Sequence, residues 1–132
     1  MTLVDTNIFI DILSDDPRWA KWSLDSMADV AETGPLIIDS IVYSELSIRF
    51  ADDRQLDGFI RRFEVELAPT PKVALVRAGK AFAAYRAAGG SRTSLLPDFF
   101  IGAHAEVTGH AILTRDIRRF RTYFPAVRLI TP

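Results

Sequence analysis

The sequence alternates between short apolar runs and longer segments in which apolar residues recur with helical spacing. Five runs are typical of strands in a sheet that is covered on both faces, and they lie at residues 3–4, 36–38, 65–68, 111–114 and 127–130. Because helical segments separate these runs throughout, the pattern predicts an α/β fold with a mainly parallel sheet and right-handed crossovers. No internal repeat or linker interrupts the pattern, so we expect one domain over residues 1–132.

The predicted helices are delimited by residues that favour helix ends. They span residues 6–13, 17–32, 41–48, 53–63, 72–88, 97–108 and 118–124. Asp5 or Thr6 can cap the first helix, and Asp39-Ser40 can cap the third, because their side-chain oxygens accept bonds from free backbone N–H groups. Gly109 is expected to end the sixth helix.

Two of the later helices carry predictions about packing. In the helix over residues 72–88, the spacing predicts a core-facing set made up of Val73, Leu75, Val76, Ala78, Phe82, Ala83 and Tyr85. The helix that begins at Pro97 is apolar on nearly every side and is predicted to be buried, with Gly102 allowing a neighbour to approach closely. His104 has no partner histidine at ligand spacing and is interpreted as a structural or rim residue.

Four carboxylates occupy related places in this pattern. Asp5 and Asp116 follow the first and fourth strands, Asp98 lies in the first turn of the helix after Pro97, and Glu45 lies one and a half turns into the third helix. The carboxyl ends of parallel strands form the edge where ligands bind in α/β proteins. We therefore expect these four carboxylates to converge at that edge.

Each carboxylate also has a structural interpretation. Asp5 can be an N-cap, and Asp98 can be stabilised by the dipole of its own helix. Glu45 can form a surface pair with Arg49 at i+4, which contributes only about 0.2–0.5 kcal/mol. Taken singly, none of them predicts a site, and the functional interpretation depends on their meeting.

The composition is that of an ordinary globular protein, with 48% hydrophobic and 25% charged residues. The absence of cysteine excludes disulfides and thiolate zinc sites. No apolar run approaches the roughly 18 residues of a membrane span. A cytoplasmic protein without membrane association is therefore expected.

The net charge of −1 conceals an asymmetry between the two halves of the chain. Residues 1–71 hold 6 Lys and Arg against 14 Asp and Glu, a net charge of −8, whereas residues 72–132 hold 10 against 3, a net charge of +7. This division fits a metal site beside a surface that binds a polyanion. Two solvated faces of opposite charge fit it equally well.

Four converging carboxylates with no local lysine would repel one another, and a divalent cation would remove that conflict. Ligation by oxygen alone, with no cysteine and no paired histidine, favours Mg²⁺ or Mn²⁺ over zinc or copper. Such ions activate water and stabilise the leaving oxygen of a phosphodiester, and the basic second half could hold a nucleic-acid backbone. Whether one or two ions act is left open.

Taken in order, four blocks of the sequence resemble the acidic motifs of PIN-domain ribonucleases, and in particular of the VapC-type toxins of prokaryotic toxin–antitoxin pairs. Each block alone is a common pattern, but all four in this order within 132 residues are specific. The blocks are Val4-Asp5-Thr6-Asn7, Glu45 within its helix, residues 97–105 with Asp98, and Leu113-Thr114-Arg115-Asp116.

The resemblance implies a three-layer α/β/α sandwich with a sheet ordered 3-2-1-4-5 and Mg²⁺- or Mn²⁺-dependent cleavage of structured RNA such as tRNA or rRNA. It also implies a homodimer, and inhibition by a cognate VapB-type antitoxin whose tail enters the active-site groove. The family's catalytic metal ligands match Asp5, Glu45, Asp98 and Asp116, and its supporting polar positions match Thr6, Asn7 and Thr114.

Three arginines are predicted to contact the RNA backbone on the basis of charge and position rather than of a motif. They are Arg86, Arg92, which lies in a polar loop over residues 91–94, and Arg115.

Two other classes of function stay open. A haloacid-dehalogenase-like phosphatase also begins with a strand and an aspartate, although its motif needs a second aspartate where Asn7 stands. The other alternative is a PIN-like domain that only binds RNA or a protein. The intact carboxylates argue against it, because acids that are costly to crowd together have no evident purpose in an inactive site.

Overall fold

The protein is represented by a computed structural model that describes residues 1–93 and 96–132. Ser94, which the sequence places in a polar loop over residues 91–94, and Leu95 lie outside the described residues. No helix in the described ranges is both long enough and apolar enough to cross a membrane.

Five short strands form one sheet in the order β3-β2-β1-β4-β5, and every neighbouring pair is parallel. Strand β1 therefore lies at the centre, with Leu3 opposite Ile37 of β2 on one side and Ile112 of β4 on the other. The order and the parallel pairing confirm the predicted sheet. The strands are β1 (Thr2–Val4), β2 (Leu36–Ile38), β3 (Val65–Leu67), β4 (Ala111–Leu113) and β5 (Leu129–Ile130).

The described residues also form seven helices. Six begin within two residues of the predicted position, whereas α2 begins three residues late because Asp16 accepts bonds from the backbone N–H groups of Arg18 (2.9 Å) and Trp19 (2.8 Å). This local turn competes with the helix. The helices are α1 (Thr6–Leu13), α2 (Ala20–Ala31), α3 (Ser40–Ser47), α4 (Asp53–Arg62), α5 (Lys72–Ala87), α6 (Pro97–Thr108) and α7 (Arg118–Tyr123).

The direction of the chain across the sheet places helices on both faces. From β1 the chain moves outward to β2 and β3, and it then crosses back to β4 and β5 on the other side of β1. Right-handed crossovers in these two directions place helices on both faces of the sheet, and α3 and α6 meet where Oδ2 of Asp39 lies 3.6 Å from Nδ1 of His104. The protein is therefore a three-layer sandwich, as expected.

Aspartates begin two helices directly after strands. Asp5 follows β1 and accepts a bond from the backbone N–H of Thr6 at 2.7 Å. Asp39 follows β2 and accepts bonds from the backbone N–H groups of Ile41 (3.0 Å) and Val42 (2.9 Å). Both predicted caps are confirmed. Because each cap follows its strand without a loop, α1 and α3 leave the sheet at its carboxyl edge.

The core prediction for α5 is wrong for four of its residues. Val73, Leu75 and Val76 are exposed by 66%, 43% and 59%, and Ala83 is exposed as well. The helix instead buries a strip of small side chains, which lets it approach α6 closely and leaves no room for larger residues. This strip consists of Ala74, Ala78 and Ala81, of which only Ala78 belonged to the predicted set.

Helix α6 is buried, as predicted, and Gly102 permits the close approach of another element. A methyl group at Gly102 would overlap the ring of Phe124, which is fully buried. His104 is also buried, with its Nδ1 3.6 Å from Oδ2 of buried Asp39. That distance is too long for a hydrogen bond, and the position agrees with a structural residue rather than a rim residue.

Candidate active site

Asp5 lies at the centre of a hydrogen-bonded group at the carboxyl edge of the sheet. Because β1 and β4 are neighbours, the Thr114 hydroxyl after β4 donates to Oδ2 of Asp5 at 2.7 Å. The side-chain amide of Asn7 donates to the same oxygen at 3.3 Å and to the Thr114 hydroxyl at 3.2 Å. The Thr6 hydroxyl donates to Oε1 of Glu45 at 2.7 Å. Three predicted polar residues therefore orient two of the predicted acids.

Burial and the charges of nearby acids act together on three of the carboxylates. Burial, with smaller contributions from the charges of Asp98 and Glu45, raises the pKa of Asp5 from its ordinary value of 3.8 to about 7, against the bond from Thr114. Burial also raises the pKa of Glu45, and the nearby Asp98 adds to that increase. The pKa of Asp98 is raised by burial and lowered in part by Arg119. Asp5, Glu45 and Asp98 thus share one electrostatic environment.

Asp98 and Asp116 are each paired with an arginine of α7. Nη1 of Arg119 lies 3.3 Å from Oδ2 of Asp98. Arg118 binds Asp116 with two groups, Nε at 3.2 Å and Nη2 at 3.0 Å, and these bonds hold the pKa of Asp116 below its ordinary value. The charge of Asp116 nevertheless reaches Asp98 and raises its pKa. The fourth acid is therefore near the group but is neutralised separately.

These residues can be tested as a cation site by their chemistry and by their spacing. Their ligand atoms are all oxygens, which are the ligands that Mg²⁺ and Mn²⁺ prefer. Within residues 1–93 and 96–132, however, no three Asp, Glu or His side chains are gathered closely enough to hold one ion. The set fits such an ion chemically, while Asp98 and Asp116 are oriented toward arginines.

Arg115 stabilises the site by joining neighbouring elements of the structure. Its guanidinium binds both carboxylate oxygens of buried Asp11, with Nε at 2.6 Å and Nη2 at 2.8 Å, and lies 5.0 Å from the ring centroid of Trp19. The Ser23 hydroxyl donates to the same carboxylate at 2.9 Å. The backbone N–H of Arg115 donates to Oδ1 of Asn7 at 3.3 Å. Arg115 therefore joins the segment after β4 to α1 and α2.

The three arginines predicted to contact RNA lie in two different places. Arg115 is engaged by Asp11, so its guanidinium is less available to a phosphate than the sequence suggested. Arg86 and Arg92 lie at the end of α5, where Arg86 donates to the carbonyls of Gly90 (3.2 Å) and Arg92 (2.8 Å). Contact of any of the three with RNA stays a prediction.

The sequence interpretation missed three residues that the structure places at the site. Asp11 lies on the buried face of α1, and the signal available in the sequence was a carboxylate among the apolar residues Ile8, Phe9 and Ile12. Arg118 and Arg119 were assigned only to a basic helix. Their position two and three residues after Asp116 was the available signal.

Comparison with known protein families gives one match over most of the chain. The profile of the PIN domain matches residues 2–124. A comparison with curated protein sequences finds no match.

Solved structures with the same fold cover nearly the whole chain. VapBC2 from Rickettsia felis, bound to a DNA fragment from its promoter, superposes with a TM-score of 0.75 at 20% identity, covering 99% of this chain and 98% of its counterpart. DNA-bound VapBC from Salmonella typhimurium gives 0.71 at 23% identity, covering 98% and 96%. A toxin–antitoxin complex from Klebsiella pneumoniae gives 0.66 at 21% identity, covering 100% and 98%. At these identities the likeness establishes the fold.

Proposed function

This chain belongs to the PIN domain family, and from that premise we propose that it is a single-domain, metal-dependent endoribonuclease that hydrolyses phosphodiester bonds of structured RNA. PIN domains are generally nucleases. The observation that carries the proposal is the group formed by Asp5, Glu45 and Asp98 at the carboxyl edge of the sheet, in which the charge of Asp98 raises the pKa of both Asp5 and Glu45. Keeping buried carboxylates close together without a counter-ion is unfavourable, and a cation offsets that cost.

Asp5, Glu45 and Asp98 would hold Mg²⁺ or Mn²⁺, with Asp116 completing the site directly or through water. When bound, one or two such ions activate water and stabilise negative charge on the phosphodiester oxygens. The Thr114 hydroxyl fixes the carboxylate of Asp5, and the Thr6 hydroxyl fixes that of Glu45. The Asn7 side chain donates to Asp5 and accepts a bond from the backbone N–H of Arg115. It therefore keeps the segments that follow β1 and β4 aligned with each other.

We further propose that the protein is a VapC-type toxin of a type II toxin–antitoxin system. Its likeness to VapBC complexes from Rickettsia felis and Salmonella typhimurium supports this proposal. It would then act on tRNA or rRNA, form a homodimer, and be inhibited by a cognate VapB-type antitoxin. A PIN domain that binds RNA or protein without cleavage is the alternative to be tested. Family membership disfavours the phosphatase alternative.

The decisive experiment is cleavage of total RNA by the purified protein in Mg²⁺, in Mn²⁺ and in EDTA. We expect cleavage with either metal and none in EDTA. Asp5→Asn and Asp98→Asn should each lower the rate at least about 100-fold, because each removes an anionic oxygen from the proposed cation site. Asp29→Asn, which changes an exposed acid of α2, is the matched control and should leave the rate unchanged.

The proposal fails if the folded protein cuts no RNA with either metal, or if Asp5→Asn and Asp98→Asn cut as fast as Asp29→Asn. Retained RNA binding in the first case would make the non-catalytic binding domain the leading interpretation.

A further inference from the structure

A cleft of about 250 Å³ opens beside the acidic group, between the end of α5 and helix α7. Arg119 belongs to both the cleft and the acidic group, since it lines the cleft and its guanidinium contacts Asp98. The cleft combines two cations, two aromatic rings and three hydroxyls. Its lining residues are Tyr85, Arg118, Arg119, Thr122 and Tyr123.

Arg119 has hydrogen-bonding capacity that the protein does not use. Of its five N–H groups, one donates to Asp98 at the long distance of 3.3 Å. Its Nε is buried and has no hydrogen-bond partner among the described residues. The guanidinium carbon lies 5.8 Å from the ring centroid of Tyr85, which holds the planar group at the wall of the cleft. A phosphate in the cleft can bind the Nη groups of this guanidinium, whereas the buried Nε stays out of its reach.

Arg118 can change partners easily. Its side chain is 82% exposed although it binds Asp116, whose side chain is 41% exposed. An ion pair in water contributes little to stability, so exchanging the carboxylate for a phosphate oxygen requires little energy. Both arginines lie on α7, directly after the segment that carries Asp116. They are therefore placed to hold a strand that passes over the acids.

The aromatic wall of the cleft is rigid. The rings of Tyr85 and Tyr123 meet edge to face with centroids 6.2 Å apart, and both pack on the fully buried ring of Phe99. The hydroxyl of Tyr85 accepts a bond from the backbone N–H of Arg92 at 3.2 Å. Phe82 stacks on the ring of Tyr85 with centroids 5.8 Å apart, and the guanidinium of Arg119 lies over the same ring. An unpaired base that enters the cleft would therefore meet the Tyr85 ring at its edge, beside the ring of Tyr123.

We propose that this cleft binds one unpaired nucleotide of the RNA next to the scissile bond, with Arg118 and Arg119 on its phosphate and its base against the rings of Tyr85 and Tyr123. The proposal rests on the proposed function, because it identifies part of the substrate of the same site. It replaces Arg86, Arg92 and Arg115 as the leading phosphate contacts. The competing interpretation is that the two arginines only neutralise Asp98 and Asp116.

The test separates contact with RNA from neutralisation of the acids by working in an Asp98→Asn background. This background removes the negative charge that pairs with Arg119, and under the proposed function it also lowers cleavage at least about 100-fold. Binding of a fluorescent single-stranded 12-residue oligoribonucleotide is measured by anisotropy at several salt concentrations. Arg118→Gln and Arg119→Gln are compared with Arg121→Gln, which removes an equal charge from an exposed position of α7 outside the cleft.

In that background, Arg118→Gln and Arg119→Gln should each weaken binding about 10-fold and reduce the slope of log K against log salt by about 0.7, the value for one phosphate contact on a single strand. Arg121→Gln should change binding less than about 2-fold. Tyr85→Leu should weaken binding about 10-fold through loss of the aromatic contact with the base. Tyr85→Phe should retain the parental affinity, and thermal melting confirms that each variant is folded.

The inference is overturned if the parent binds RNA but Arg118→Gln and Arg119→Gln behave like Arg121→Gln, or if folded Tyr85→Leu binds as well as Tyr85→Phe. In those cases metal-dependent cleavage by the unmodified protein can still stand. If neither cleavage by the unmodified protein nor RNA binding by the Asp98→Asn parent is observed, the proposed function and this inference fail together.

Discussion

Asp5 combines two functions on one side chain. Its Oδ1 caps α1 through the backbone N–H of Thr6, while its Oδ2 accepts the bonds from Thr114 and Asn7. Both functions use the ionised carboxylate, yet only 6% of the residue is exposed, and burial raises its pKa to about 7. The folded protein therefore carries a carboxylate that is unfavourable at neutral pH unless a cation is bound.

Asp5→Asn should stabilise the metal-free protein at high pH. Because the folded-state pKa of about 7 exceeds the ordinary value of 3.8, the folded state binds a proton that the unfolded state has lost, and stability falls as pH rises between these values. The variant has no titrating carboxylate at this position, so its stability does not fall in this way. The free energy of unfolding of the variant, relative to that of the unmodified protein, should therefore be about 2 kcal/mol more favourable at pH 8 than at pH 5. Thermal melting in EDTA measures this, with Asp29→Asn as control, and parallel curves for the variant and the unmodified protein would contradict it.

Gly102 marks a second position where one side chain decides the packing. Gly102→Ala should destabilise the protein by about 1–3 kcal/mol, because the added methyl group overlaps the buried ring of Phe124 and overpacks the core. Gly79→Ala is the matched control, since this helical glycine of α5 has open space around it and should gain about 0.5–1 kcal/mol. Urea denaturation measures both, and a stabilised Gly102→Ala would show that the ring is free to move.

At the scale of elements, the pair between Arg115 and Asp11 fixes the segment after β4 to α1. The bond from Ser23 extends this connection to α2, and the Asn7 side chain runs beside it from the same helix. Thr114 and Asp116 flank Arg115 in sequence, so the ion pair also sets the position of both. Arg115 therefore acts as a positioning residue for the candidate site.

Arg115→Met should destabilise the protein by about 3 kcal/mol, because it leaves the buried carboxylate of Asp11 without its charged partner. Adding Asp11→Asn should restore most of that loss, since the amide can still accept the bond from Ser23. Urea denaturation of the two single variants and the double variant gives the coupling energy. Arg121→Met controls for loss of an exposed arginine, and additive effects of the two changes would refute the pairing.

At the scale of the whole molecule, the site lies where the order of the strands reverses direction. The chain runs from β1 outward to β3 and resumes at β4 on the other side of β1, so a crevice opens between β1 and β4 at their carboxyl ends. The boundary between β1 and β4 also separates the acidic and the basic halves of the chain. Strands β1–β3 belong to residues 1–71, with a net charge of −8, and β4–β5 belong to residues 72–132, with a net charge of +7. Acids and arginines therefore meet at the site.

The amino-acid sequence by itself determined the number and type of the elements, the caps at Asp5 and Asp39, the buried character of α6 and the close approach at Gly102. These features depend on local periodicity, on turn chemistry and on side-chain size, which are written into short segments. The sequence also identified the acids and the three polar residues that accompany them, because all except Glu45 stand at the end of a strand or the start of a helix, and Glu45 lies one and a half turns into α3. Their role in binding a cation stays a prediction.

Only the tertiary structure decided which partners these residues take. Helix α5 has alanines on one face and valines and leucine on another, and only its packing against α6 selects the alanine face for burial. The pairing of Arg115 with Asp11 spans 104 residues of sequence. It exists because β4 lies beside β1 and carries the segment after β4 next to α1. Partner choice follows from strand order and from the space between elements, neither of which any single segment encodes.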